Sequence, residues 1–176
     1  QKLYPGATLV FSGMLSKNVE EFMALHKDAF NIKKGISEIP MEQVSRVVLV
    51  DTQKLSRLGK IASLLNKPGV EVHIYDHHPR SEGDIRGDIE QIDMVGATTT
   101  ILVEKIMERN LPVNPLEATL LALGIYEDTG SLLFTSTTPR DAEAVAFTLS
   151  NGANLSVVAD FLWRPLSEEQ IDLDRK

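Results

Sequence analysis

The sequence predicts an α/β domain built on a mostly parallel sheet flanked by helices in three layers. Three observations lead there. Short β-rich runs alternate with helical stretches along the chain. One of these runs, Val47-Val48-Leu49-Val50, is continuously apolar and β-branched, the pattern of a strand buried on both faces. Two successive runs end in acidic or imidazole residues, and in open α/β sheets ligands gather beyond the carboxyl ends of the strands.

Taken in order, Ala7–Phe11 follows a Pro-Gly turn and reads as a strand. Residues 18–27 space Val19, Phe22, Met23 and Leu25-His26 along one helix face. After the 47–50 strand comes Asp51-Thr52, and 55–65 reads as a helix stopped by Pro68-Gly69. Residues 70–75 (VEVHIY) form the next strand, ending at Asp76-His77-His78-Pro79. Residues 89–95 read as a weaker edge strand. Gly96-Ala97-Thr98-Thr99-Thr100 opens an amphipathic helix to about Arg109, and 115–127 is apolar nearly all round, as a buried helix is. Thr138-Pro139-Arg140-Asp141 carries an N-cap Thr, a Pro at the first helical position and an acid at the capping-box site. That helix runs to about Ser150 and stops at Asn151-Gly152, and 153–163 offers one more. No repeat or low-complexity linker interrupts the chain, so residues 1–176 read as one domain.

Composition narrows the function. A length of 176 residues buries a sizeable core, and 43% hydrophobic with 24% charged residues argues against disorder. The net charge of −7 argues against a broadly basic surface that coats nucleic acid. It leaves room for a local cationic groove or for metal ions that reverse the field in a cleft. With no Cys, disulfides, zinc–thiolate sites and cysteine nucleophiles are excluded. No apolar run reaches the ~18–20 residues of a spanning helix, so no membrane role is expected and the cytoplasm is favoured.

The chemistry concentrates in three places. Asp51 ends one strand and Asp76-His77-His78 ends the next. Carboxylate with imidazole suits Mn, Fe or Zn better than Mg alone, because imidazole is the softer ligand. Adjacent histidines at a strand end point to opposite sides unless the chain turns, and Pro79 favours an extended His78. One imidazole is therefore expected to bind metal while the other faces elsewhere, with Asp76 orienting the ligand ring from behind. The third place is Gly124–Phe134 (GIYEDTGSLLF), where Asp128 closes an apolar helix. The helix dipole and partial burial both disfavour a carboxylate there, so it needs a cation or a capping role. Each piece has a plainer reading: Asp51 as a helix N-cap, the histidines as a solvated turn, Asp128 as a turn cap, and Thr98-Thr99-Thr100 as capping alone rather than an anion-binding helix start.

VLVD, YDHHP, GATTT and GIYEDTGSLLF, in this order and spacing, resemble motifs II to IV of the DHH phosphoesterase superfamily over roughly residues 5–165. Residues 135–155 (TSTTPRDAEAVAFTLSNGANL) further resemble the DHH module of bacterial proteins that join DHH, CBS and tRNA nucleotidyltransferase (poly(A) polymerase-like) domains. The resemblance implies a Rossmann-like α/β core and metal-dependent hydrolysis of phosphodiester or phosphoanhydride bonds in nucleotides or short nucleic acids, with a link to tRNA 3′-end or RNA metabolism. It implies Asp51, His77 and Asp128 as metal ligands of a two-Mn site, with Mg and Co as alternatives. His78, supported by Asp76, becomes the catalytic contact to the scissile phosphate, and Thr98 a substrate contact. Other domains of a longer chain are implied as partners, and an oligomer is compatible. Two parts of the family pattern are missing: an H-x-D-x-D segment with its strand upstream of Gln1, and the C-terminal DHHA1 domain. The 176 residues alone are therefore expected to be inactive, with a gap in the sheet beside the 47–52 strand. A competing expectation is a non-catalytic nucleotide- or RNA-binding module beside a nucleotidyltransferase.

Overall fold

The computed structural model describes residues 1–11, the backbone of 32–33 and residues 39–162. Its strands are β1 (Leu9–Val10), β2 (Ile32–Lys33), β3 (Arg46–Val50), β4 (Glu71–Asp76) and β5 (Ile89–Ile92). Its helices are α1 (Thr98–Glu108), α2 (Pro115–Asp128), α3 (Pro139–Ser150) and α4 (Leu155–Leu162). The α/β class with a parallel sheet is as expected: β3, β4 and β5 pair in that order, all parallel, with Val47 opposite Val72 and Ile74 opposite Glu90.

Side-chain alternation along β4 builds two layers around this sheet. Val72 and Ile74, with Val47 and Leu49 of β3, face Leu58 and Leu64 in one core. Tyr75 faces the other way and packs with Ile101 of α1 and Val95. Burying each such aliphatic side chain stabilises the fold by about 1.5–3 kcal/mol, which favours this register over a one-residue slip that would invert both faces.

Helices α2 and α3 begin at capping boxes. Asn114 Oδ1 accepts from Glu117 N and Glu117 Oε2 accepts from Asn114 N, both at 2.9 Å. At α3 the expected Thr138 cap and Pro139 start are present, and Asp141 Oδ2 accepts both the backbone N–H and the hydroxyl of Thr138.

Several expectations change. The 55–65 helix is two 3₁₀ segments, Leu55–Arg57 and Gly59–Leu64, because Gly59 takes a left-handed φ of 52° and no side chain caps the first turn. The edge strand stops at Ile92. Only Leu9–Val10 of the first run is a strand, and it pairs in parallel with β2, which the sequence reading did not include. This two-stranded ladder is separate from the main sheet, so among the described strands β3 has a hydrogen-bonded neighbour, β4, on one edge alone. The helix expected at 18–27 and the end of the one at 153–163 lie outside the described residues.

Candidate metal centre

The carboxyl ends of β3 and β4 converge as the sequence suggested. Asp51 leaves β3 with a left-handed φ of 62°, a conformation that Asp tolerates better than most residues, and its N–H donates to Tyr75 O at 3.0 Å. The Asp51 carboxylate Oδ1 accepts the Thr98 hydroxyl at 2.8 Å and lies 3.4 Å from His77 Nε2 and 3.8 Å from His78 Nδ1. One ligand atom from each of Asp51, His77 and His78 falls within 4.8 Å of the other two.

The two imidazoles do not diverge. Their rings meet edge to face, 4.4 Å apart, on the Asp51 side of the sheet. The chain turns immediately after Asp76 because Asp76 Oδ1 accepts both the backbone N–H of His78 at 3.1 Å and its Nδ1–H at 2.7 Å. Asp76 therefore orients His78. His77 is held instead by Val95 O, 3.2 Å from its Nδ1. A carbonyl only accepts, so Nδ1 of His77 carries the hydrogen and Nε2 presents its lone pair toward Asp51. With Nδ1 of His78 committed to Asp76, the free nitrogen of that half-exposed ring is Nε2.

Asp76 is buried, which on its own would push its carboxyl up. The His78 side-chain and backbone hydrogen bonds outweigh this and hold it below the usual carboxylate range. Asp128, the last residue of α2, behaves oppositely. Solvent reaches it, yet partial burial and then the Asp51 charge push its carboxyl up to about 6, with His77 and His78 offsetting only part of this. Asp128 lies outside the Asp51–His77–His78 triangle but within its field.

The turn after Asp128 is tightly built. Gly130, Ser131 and Leu132 all have positive φ, and a side chain on Gly130 would run into the Phe134 ring. Thr129 Oγ1 donates to Ile125 O at 2.5 Å and accepts from Leu132 N at 3.0 Å, fixing the turn from inside. Against it packs Gly96, where a Cβ would sit 2.6 Å from Thr129 Cγ2 and 2.9 Å from Asp141 Oδ2. The GATTT loop can approach the DTG turn only with a bare backbone at this position.

Thr98, expected at the substrate, spends its hydroxyl on Asp51, and Thr100 spends its own on Asp141 Oδ1 at 2.6 Å. The N-cap is Ala97, with no side-chain cap. Sequence reasoning missed Gln53 altogether: it is 2% exposed and donates from Nε2 to His78 O at 2.9 Å. No motif marks a single Gln, and its burial appears only in three dimensions.

The donor set fits a divalent cation. Metal–ligand bonds of ~2.0–2.2 Å place neighbouring donor atoms ~3–4 Å apart, and Asp51 Oδ1 lies 3.4 Å from His77 Nε2. Burial first, and the Asp51 charge second, raise the Asp128 carboxyl, and a cation bound nearby would offset both.

No protein-family model matches the chain. It is 47% identical over 173 residues to an A-adding tRNA nucleotidyltransferase of Geobacter sulfurreducens, matching 98% of this chain and 20% of that protein. It is 33% identical over 121 residues to the cyclic-di-AMP phosphodiesterase GdpP of Bacillus subtilis, matching 66% of this chain and 18% of that one. The chain thus spans about a fifth of these curated relatives. The solved structure of an exopolyphosphatase-related protein from Bacteroides fragilis superposes with a TM-score of 0.77 at 17% identity, covering 94% of this chain and 49% of that one, and so shares the fold. With the Asp and Asp-His-His strand ends meeting over one parallel sheet, and with these relatives, the chain belongs to the DHH phosphoesterase superfamily.

Proposed function

We propose that this domain carries a Mn-type, metal-dependent phosphoesterase centre acting on phosphodiester or phosphoanhydride bonds of nucleotides or short nucleic acids. The observation that carries the reading is the meeting of Asp51 Oδ1, His77 Nε2 and the His78 ring at the ends of adjacent parallel strands. Asp51, His77 and Asp128 would hold the metal; the mixed donors favour Mn over Mg, and Co is an alternative. Bound there, a divalent pair supplies an activated water and neutralises charge building on the phosphoryl oxygens. The rest falls to the chain. Thr98 fixes the Asp51 carboxylate, Val95 O sets the His77 tautomer, and Asp76 holds Nδ1–H of His78 so that Nε2 is the nitrogen left for a phosphate, to which it donates only when the ring carries both hydrogens.

The domain, residues 1–176, is read as part of a longer chain whose other domains are its partners. The match to only about a fifth of its relatives' length supports this. Among the described residues no helix is long and apolar enough to cross a membrane, and a cytoplasmic setting is part of the proposal.

The test is Mn²⁺ titration by calorimetry, followed by hydrolysis assays on the longer protein with a cyclic dinucleotide, a short oligonucleotide and pyrophosphate. We expect binding and turnover that Asp51→Asn and His77→Ala abolish. Absence of Mn²⁺ binding by the longer protein would end this reading. The 47% identity to an A-adding tRNA nucleotidyltransferase favours a second one, a nucleotide- or RNA-binding module without turnover. Saturable RNA binding with no hydrolysis of any substrate would select it.

A further inference from the structure

We infer that Gln53 is a positioning residue of this centre, clamping the His77–His78 turn against the Asp51 segment; the inference rests on the metal-centre reading above. Gln53 lies two residues after Asp51 and is 2% exposed. Its main-chain carbonyl accepts from Ile85 N at 2.8 Å, and its side chain reaches from the end of β3 to the turn after β4, where Nε2 donates to His78 O at 2.9 Å. Asp76 takes the other side of the same residue, accepting its N–H and its Nδ1–H. His78 is thus gripped at its amide, carbonyl and ring by two buried side chains. The Asp51 segment and the histidine turn cannot drift apart without breaking the Gln53 bond.

Stability alone does not explain a Gln here. Its Oε1 is buried with no hydrogen-bond partner among the described residues, while its amide group also lies near enough to the Asp76 carboxyl to help hold it below the usual range. A buried unsatisfied acceptor is destabilising, and an apolar side chain of equal volume would avoid it. A polar group that leaves one end unpaired while its other end fixes a site residue is the pattern of positioning at some expense to stability. The bond ties the segment that carries one proposed ligand, Asp51, to the turn that carries another, His77, and interactions that hold metal ligands in place typically tune affinity 10- to 100-fold.

The experiment has two arms on Gln53→Met, which keeps volume and removes the donor, and on Gln53→Asn, which keeps an amide too short to reach His78 O. In the metal-free arm, hydrogen exchange is followed by NMR. We expect the His78 amide to exchange on the order of tenfold faster in both variants, with the amides of Val72–Tyr75 unchanged. In the second arm Mn²⁺ affinity falls roughly 10- to 100-fold with the fold retained by circular dichroism. An unchanged His78 amide overturns the inference. So does uniform acceleration across β3 and β4, which would make Gln53 a packing residue only. Wild-type protein that binds no Mn²⁺ would sink the metal reading instead, while the exchange arm still decides whether Gln53 anchors the turn.

Discussion

Thr98 gives its hydroxyl hydrogen to Asp51 Oδ1 at 2.8 Å, so the first residue of α1 holds the carboxylate on which both imidazoles converge. The bond joins a 2%-exposed hydroxyl to a half-exposed acid across 47 residues of sequence.

Replacing Thr98 with Val keeps the shape and removes this bond. Because Asp51 is partly solvated, the loss of stability should be modest, about 1 kcal/mol. Mn²⁺ affinity should fall more markedly, roughly tenfold or more, since the ligand is no longer oriented. Thermal melting and calorimetry of the same variant check both. A large drop in melting temperature with unchanged affinity would make Thr98 a packing residue.

Asp128 makes the metal-free protein sensitive to pH in a defined direction. Its folded carboxyl is raised to about 6 by burial and by Asp51, above the unfolded value of 3.8, so between these limits the native state binds more protons than the unfolded one. Stability from this group is therefore lost as pH rises through about 6. Asp128→Asn should remove that dependence and raise the metal-free melting temperature at pH 7 relative to wild type. Chemical denaturation at pH 5 and pH 7, with chelator present, measures it. A wild-type protein more stable at pH 7 than the Asn variant would refute the assignment.

Asp76 offers a sharper test of the histidine geometry. In Asp76→Ala the His78 N–H and Nδ1–H both lose their acceptor. The turn should relax toward the divergent arrangement that adjacent strand residues prefer. Turnover by the longer protein should drop by about 10²-fold, within the range of a lost proton donor or electrostatic contact. Mn²⁺ binding should change less, because Val95 O holds the ligand histidine His77 independently. Equal losses in binding and turnover would show that Asp76 serves the metal rather than His78.

The contrast between these histidines shows what the sequence could and could not convey. The β-branched runs of β3 and β4 specified the strands and their acidic ends, and Thr138-Pro139 specified the start of α3, because those signals are local. Ring directions are not local. His77 is oriented by a carbonyl 18 residues away, and His78 by a turn that forms only once Asp76 and Gln53 are buried together. The 3₁₀ segments escaped notice for a related reason. The apolar spacing of Leu55, Leu58 and Leu65 suits an α-helix, but Gly59 adopts a left-handed conformation between them. The β1–β2 pairing joins residues 9–10 to 32–33, and no periodicity within either run announces it.

Asp141 should be the least replaceable acid in the domain for stability, although it lies outside the proposed chemistry. Its side chain is fully buried and accepts four hydrogen bonds: from Gly96 N at 2.9 Å, Thr100 Oγ1 at 2.6 Å, and Thr138 N and Oγ1 at 2.7 Å each. These tie the loop before α1 to the start of α3. Burial would raise its carboxyl, but the bonds from Thr100, Thr138 and Gly96 prevail and hold it below the usual range. A depressed folded value stabilises the protein above the unfolded pKa of 3.8, and that contribution disappears as pH falls through the lower folded value. Asp141→Ala would leave four donors without an acceptor at a site with no room for easy rearrangement. At about 1–3 kcal/mol for each buried unsatisfied group, partly relieved by entering water, a loss of roughly 3–5 kcal/mol at neutral pH is expected. Asp141→Asn, which keeps one carbonyl acceptor but brings two hydrogens among donors, should recover only part of it. Urea denaturation of the three proteins at pH 7 and pH 3 measures this: the differences should be large at pH 7 and shrink at pH 3. An Asp141→Ala variant within 1 kcal/mol of wild type at pH 7 would mean that these bonds contribute little to holding α1 and α3 together.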